Sequence, residues 1–307
     1  MLKRLKPYLL LSVTAMIWGF AFIAQLLGSD LPAFLFNGTR FLLGSLSLIP
    51  VILIFERGKI DKNKMKTTLI VGIVAGVVLC VASNLQQFGV NITGSAAKSG
   101  FITGMYMIFV PIAGIFMKKK TTVNVWIGAV VALIGLYILS FPEGVTSVGI
   151  GDLILLCGAV FWTAHIIIID NFGNKIYSLR FSMIQFITCA LINIVLVIFT
   201  DSFDLKLLLD TKYPILYAGL MSVGVAYTLQ VIGQKNAEPT IASIVLSTES
   251  VFSAVGEAIF FTFIMVGYDK YKPLNPIGYI GCIIMFCGIT ITQLNFKRKK
   301  LTKGALT

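Results

Sequence analysis

The sequence predicts an all-α integral membrane protein of ten transmembrane helices, arranged as two inverted five-helix repeats. Three observations predict it. Apolar residues make up 57% of the 307 residues and charged ones only 12%, with a mean hydropathy of +0.92, whereas a soluble surface needs about a quarter of residues charged. Apolar runs recur from end to end, each long enough to cross about 30 Å of hydrocarbon at about 1.5 Å per residue. Lys and Arg gather on alternate connections between the runs, as positive-inside topology requires.

The runs lie at 7–27, 31–55, 67–90, 95–117, 122–140, 151–169, 179–199, 213–232, 238–265 and 274–295. Only helices satisfy their own backbone in lipid, so each run reads as a helix. The first follows a basic start (Lys3, Arg4, Lys6) but lacks a small-residue cleavage site, so it reads as a retained span. The second carries Arg40, and the third ends in the polar group Asn84, Gln86 and Gln87. The fourth opens near Lys98 and holds Pro111, and the fifth contains Trp126. Trp162 and His165 mark the sixth, and the seventh closes on Phe199 as the second closes on Phe55. The eighth bears Tyr227 and Gln230, and the ninth Glu249 and Glu257. The tenth runs into a basic tail at Lys297–Lys300, read as an anchor at anionic headgroups.

With the N-terminus in the cytoplasm, the cytoplasmic connections hold Arg57, Lys59, Lys62, Lys64, Lys66, Lys118–Lys120, Lys175, Arg180 and Lys235. The opposite side receives Lys206, Lys212, Lys270 and Lys272 against Asp30, Glu143, Asp201, Asp204, Asp210 and Asp269. Both termini are then cytoplasmic. The net charge of +12 is therefore loop charge and argues against a nucleic-acid surface. All five cysteines lie inside apolar runs, which excludes a disulfide framework or zinc knuckle in the loops. At an offset near 144 the halves match: Trp18 with Trp162, Leu85-Gln86 with Leu229-Gln230, Gly89 with Gly233. The expected units are residues 1–145 and residues 146–307, the second ending in the short basic tail. An odd number of spans in each turns the second upside down relative to the first. Such inverted repeats place a binding site near the midplane, between the halves.

Several stretches together carry a resemblance: MIWGFAFIAQ (Met16–Gln25), FNGTRFLLGSLSLIP (Phe36–Pro50), NLQQFGVNITGSAAKSGFITGMYMIFVPI (Asn84–Ile112), WIGAVVALIGLYILS (Trp126–Ser140), Gly151-Asp152, and AYTLQVIGQKNAEPTIASIVLSTESVF (Ala226–Phe252). Over nearly its whole length the chain resembles the drug/metabolite transporter superfamily, in its EamA-like ten-helix branch. Ser250 follows Glu249 where that branch often has proline. The resemblance implies movement of a small molecule, often an amino acid or related metabolite, without ATP hydrolysis. A bacterial cytoplasmic membrane is the host it implies.

Ionisable groups inside lipid need a partner, a cavity or a function. Arg40, Lys98, His165, Glu249 and Glu257 qualify. Depth along each span puts Arg40, Asn37, Lys98, Gln86 and Gln87 in the outer half, with Glu249, Trp18 and Trp162 near the middle. Tyr106 and Tyr227 supply further aromatic wall. The expected substrate site is thus Arg40, Asn37, Gln86, Gln87, Lys98, Tyr106, Trp18, Trp162, Tyr227 and Glu249. A zwitterion suits it, with carboxylate to Arg40 or Lys98 and ammonium to Glu249 or a ring face. Glu249 and His165 are the expected protonation candidates, with a proton as the coupling ion. Structural readings stand beside these: Arg40 and Lys98 as ion-pair partners of Glu249 or Glu257, Glu257 as a structural group, and the polar Asn and Gln residues as interhelical glue. No nucleophile motif, phosphate loop or metal-ligand cluster occurs, so no enzyme activity, cofactor or metal is expected. Besides a small-molecule substrate and the bilayer, the partner question leaves monomer and homodimer open. A carrier of a larger anion such as a nucleotide-sugar, or a lipid-acting membrane enzyme or scaffold, are the alternatives.

Overall fold

The computed structural model describes residues 2–118, 122–140, 149–200, 203–265 and 276–293, and among these every regular element is helical. In the first part are α1 (Leu2–Leu27), α2 (Ala33–Phe55), α3 (Lys62–Thr93), α4 (Ala96–Thr103), α5 (Tyr106–Phe116) and α6 (Val123–Ser140). In the second are α7 (Ile150–Phe172), α8 (Ser178–Thr200), the short α9 (Leu205–Asp210) and α10 (Lys212–Leu216), a π-helical stretch Tyr217–Tyr227 and α11 (Thr228–Gln234). There follow α12 (Pro239–Leu246), α13 (Glu249–Ile259), a π turn Phe260–Ile264 and α14 (Pro276–Gln293). Among the described residues eight stretches are long and apolar enough to cross a membrane, and the apolar helices Val123–Gly135 and Pro276–Gly288 are shorter. Lys119, Lys120, Glu143, Asp201, Asp269, Lys270, Lys272, the tail at Lys297–Lys300 and the junction at 145–146 lie outside the described residues.

Local chemistry sets the ends. Asp61 caps α3 by accepting from the Lys64 amide at 2.8 Å, so residues expected in a loop extend the helix to Lys62. Gly94 closes α3 with φ 62°, a left-handed turn that suits glycine. Ser95 then caps α4, and Pro239 opens α12 at a position where a missing amide costs nothing.

Three spans are not continuous α-helix. The fourth run breaks at Gly104–Met105, between α4 and α5, and the ninth at Ser247–Thr248, between α12 and α13. At both points the ladder tightens: Met105 N and Met107 N donate to Ile102 and Gly104 carbonyls, and Thr248 N and Ser250 N donate to Val245 and Ser247 carbonyls. In the ninth, hydroxyls compete with the backbone, Ser247 Oγ bonding the Ile244 carbonyl at 2.8 Å and Thr248 Oγ1 the Val245 carbonyl at 2.7 Å. In the fourth the break falls on a glycine held against Ser250, whose Oγ would lie 2.8 Å from a Cβ at Gly104. The eighth run is π-helical through Tyr227, its wide turns packed on α2.

Helices from one side of the sequence pack chiefly on helices from the other: α2 and α3 on α8, α3 on α7, α1 on α13 and α6 on α14. Small residues permit these approaches, as lipid-embedded helices require. Gly72 and Gly76 lie against Ile184 and Thr188, and a Cβ at Gly135 would stand 2.3 Å from the Met285 amide nitrogen. The bulky side chains left exposed, such as Phe55, Phe116, Phe199 and Phe263, are apolar and face outward, as in a protein solvated by lipid.

Candidate functional site

Seven of the residues expected at the site line one buried cavity: Trp18, Arg40, Gln86, Tyr106, Trp162, Tyr227 and Glu249. Its walls come from nearly every part of the fold. From α1 come Trp18, Ala21, Phe22 and Gln25, spaced so that all four share a helical face. Ser222 and Tyr227 come from the π stretch, Gln230 from α11 and Thr103 from the end of α4. The lining side chains are drawn in so closely that the hollow between them has room for about one water molecule.

The two helix breaks meet here. Tyr106 is the first residue after one break and Glu249 the first after the other, and Tyr106 Oη donates to Glu249 Oε1 at 2.9 Å. Ser250 Oγ donates to the Gly100 carbonyl at 2.7 Å, binding α13 to α4 beside that pair. Tyr227 is the aromatic hub. Its ring lies 4.7 Å from Trp18 and 5.9 Å from Trp162, stacked on the latter at 23°. Trp18 Nε1 donates to the Ser222 carbonyl at 3.4 Å, in the π stretch.

Arg40 is 1% exposed, on α2. Gly219 allows the π stretch to approach its backbone, since a Cβ there would lie 3.1 Å from the Arg40 carbonyl. The guanidinium sits over the rings of Phe36 and Phe41, at 5.4 and 5.1 Å. Its Nε and Nη2 find no hydrogen-bond acceptor among the described residues, and neither Glu249 nor Glu257 forms an ion pair with it. Buried polar atoms are nearly always paired, so such exceptions call for a reason. More of them line the same cavity: Trp162 Nε1, Gln25 Oε1 and Gln230 Oε1. A cluster of unmatched donors and acceptors around one hollow is what a polar ligand would complete.

The remaining expected residues stand elsewhere. Lys98 Nζ is 2.8 Å from Asp152 Oδ2, joining α4 to the first turn of α7, and neither residue lines the cavity. Its partner is thus Asp152 and not the glutamates expected from depth; Asp152 also accepts from the Gly149 amide at 2.9 Å. Glu257 Oε2 accepts from the Ala97 amide at 2.6 Å and so caps α4, the structural reading for that residue. Asn37 donates to Asn84 Oδ1 at 2.7 Å and to the Ser83 carbonyl, and Gln87 to the Gln25 carbonyl, as interhelical ties, while Gln87 also donates to Asn91 Oδ1 within α3. His165 lies behind the aromatic wall, edge-on to Trp162 and Tyr227, with Nε2 2.8 Å from Gln185 Oε1. Sequence reasoning left out the polar lining residues Gln25, Thr103, Ser222 and Gln230, although the spacing of Gln25, two turns from Trp18, marks the same face.

Known proteins agree with this architecture. An uncharacterized transporter of Archaeoglobus fulgidus is 25% identical over 299 residues, covering 95% of this chain and 87% of its own length. The uncharacterized transporter YoaV of Bacillus subtilis is 24% identical over 304 residues, covering 95% of this chain and 98% of itself. A solved crystal structure shares the fold with a TM-score of 0.71 at 15% identity, covering 93% of this chain and 95% of that one. The EamA-like transporter family matches residues 5–141 and again residues 149–294. With both stretches matched and the helices apolar enough for lipid, the chain belongs to the EamA-like transporter family, as an integral membrane transporter of a small molecule and not an enzyme.

Proposed function

We propose that the chain is a secondary carrier that exports a small zwitterionic metabolite, an amino acid or close relative, by alternating access. The observation that carries this is the buried Arg40 guanidinium, whose Nε and Nη2 have no acceptor among the described residues, on the same cavity as Glu249. A substrate carboxylate takes the Arg40 fork, with Trp162 Nε1 as a further donor. The ammonium takes Glu249, the Gln25 and Gln230 carbonyl oxygens, and the ring faces of Trp18 and Tyr227. One guanidinium in so small a cavity suits one carboxylate better than a nucleotide-sugar. The narrowness fits an occluded stage of the cycle, between openings to either side.

In this reading residues 1–145 and residues 146–307 are five-helix units of opposite orientation. The paired family matches support it, as do the breaks at Gly104–Met105 and Ser247–Thr248, which recur at nearly the offset of the sequence repeat. Loop charge supports cytoplasmic termini, and the family resemblance, which implies export or uptake, suggests a bacterial cytoplasmic membrane; of the two directions, export is the one proposed. A proton is the proposed coupling ion. Glu249 carries it, since substrate ammonium and proton compete for one carboxylate; His165, behind the wall, is the second candidate. Either a monomer or a homodimer accommodates the scheme.

Counterflow in proteoliposomes with a labelled amino-acid panel, with and without a pH gradient, tests it. The expected result is saturable flux that a pH gradient accelerates, with Glu249→Gln losing the gradient response. No saturable flux across the panel would reject the substrate class. Wild-type transport by both Arg40→Ala and Glu249→Gln would reject the residue roles.

A further inference from the structure

On the seam between α3 and α8, Cys80 and Cys189 are both buried, at 3% and 0% exposure. One amide touches both sulfurs: Asn193 Nδ2 lies 3.3 Å from Cys80 Sγ and 3.5 Å from Cys189 Sγ. That amide is held in place by a 2.9 Å bond to the Cys189 carbonyl, and its Oδ1 has no partner among the described residues. Asn84 Nδ2 adds a bond to Cys80 Sγ at 3.4 Å, itself oriented by Asn37, and Ser83 Oγ stands 3.8 Å from Cys189 Sγ. Two thiols therefore share a pocket in which amide N–H groups converge on sulfur.

N–H donors aimed at sulfur stabilise its anionic form and are the usual outer shell of a metal thiolate. The donor set is selective. Zinc takes four ligands and iron–sulfur clusters four cysteines, and among the described residues no third His, Cys, Asp or Glu completes such a group. A soft monovalent d10 ion differs, because two thiolates in line satisfy it, and soft sulfur ligands select it.

We propose that Cys80 and Cys189 form a two-coordinate site for a soft monovalent cation of the Cu(I) type, with Asn84 and Asn193 as hydrogen-bond donors to its sulfurs. Two S–H bonds break, two metal–sulfur bonds form and two protons leave to solvent; no electron is transferred. The resulting complex bears one net negative charge. The ion pins α3 to α8, one helix from each side of the sequence.

The test uses the full chain in detergent with Cys157, Cys282 and Cys287 changed to Ser, titrated anaerobically with Cu(I) against a chromophoric Cu(I) chelator. The expected result is one Cu(I) per chain, with only sulfur in its first shell by X-ray absorption. Binding weakens at least about tenfold in Cys80→Ser and in Cys189→Ser, and several-fold in Asn193→Ala, where both thiols remain. Melting without copper shows that each variant is folded, and Cys80→Ala replaces any serine variant that is not. Failure of the starting chain to hold copper overturns the proposal, and so does binding that survives loss of Cys80. Neither outcome depends on whether the protein carries an amino acid.

Discussion

Replacing Arg40 by Met, a side chain of similar length, separates its role in binding from its role in stability, because the two effects have opposite signs. In the empty protein the guanidinium is buried with Nε and Nη2 lacking acceptors among the described residues. Each unsatisfied buried donor costs about 1–3 kcal/mol. The ring contacts with Phe36 and Phe41 return about 0.5–2 kcal/mol each. Exchange for an apolar residue of like volume should then stabilise the protein by about 1–3 kcal/mol, as replacement of buried charges often does. At about 2–4 °C per kcal/mol, tryptophan fluorescence on heating should show a rise of about 2–12 °C in Tm. Losing a buried, hydrogen-bonded charge partner costs about 2–5 kcal/mol in binding, so KM in counterflow should rise at least about thirtyfold. A variant that melts lower than wild type and transports normally would refute the reasoning on both counts.

The ion pair and the small-residue seams give two further expectations. Lys98→Met should lower Tm by the equivalent of about 1–2 kcal/mol, since it strands Asp152, less the screening due to a partly exposed lysine. Adding Asp152→Asn should recover most of that loss, with KM within about twofold of wild type throughout; a KM rise of tenfold or more would put Lys98 on the substrate. Gly135→Val should destabilise by about 1–3 kcal/mol or more, because the new side chain meets Met285 and Gly281 backbone atoms that cannot yield. An unchanged melting curve for that variant would mean that α6 and α14 do not approach as described.

The helices were legible because lipid leaves the backbone no alternative: an apolar run of spanning length becomes a helix. Arg40, Glu249 and the Trp18–Trp162 pair were legible as well, since a charge in oil and a repeated aromatic both stand out. The breaks were not. Neither Gly104 nor Ser247–Thr248 is a proline, and their effect arises from hydroxyl competition and from the crossing of α4 with α13. Lys98 shows a second limit. Position along a span gives depth but not direction around the helix, and Asp152, distant in sequence, decides which way the lysine turns. Asn37, one turn from Arg40, likewise faces Asn84 and not the hollow. Gln25 was readable from helical spacing but carries no charge to advertise it.

The π-helical stretch Tyr217–Tyr227 acts as a phase shifter along its span. Near its start Gly219 keeps its face against α2; Tyr227 at its end and Gln230 just beyond line the hollow, an alignment that the wider winding sets. Substitutions leave that phase intact, whereas removing a single residue with no compensating change in winding turns everything beyond it by up to about 100°. Length, more than chemistry, is therefore what this segment has to conserve to keep the aromatic hub in place.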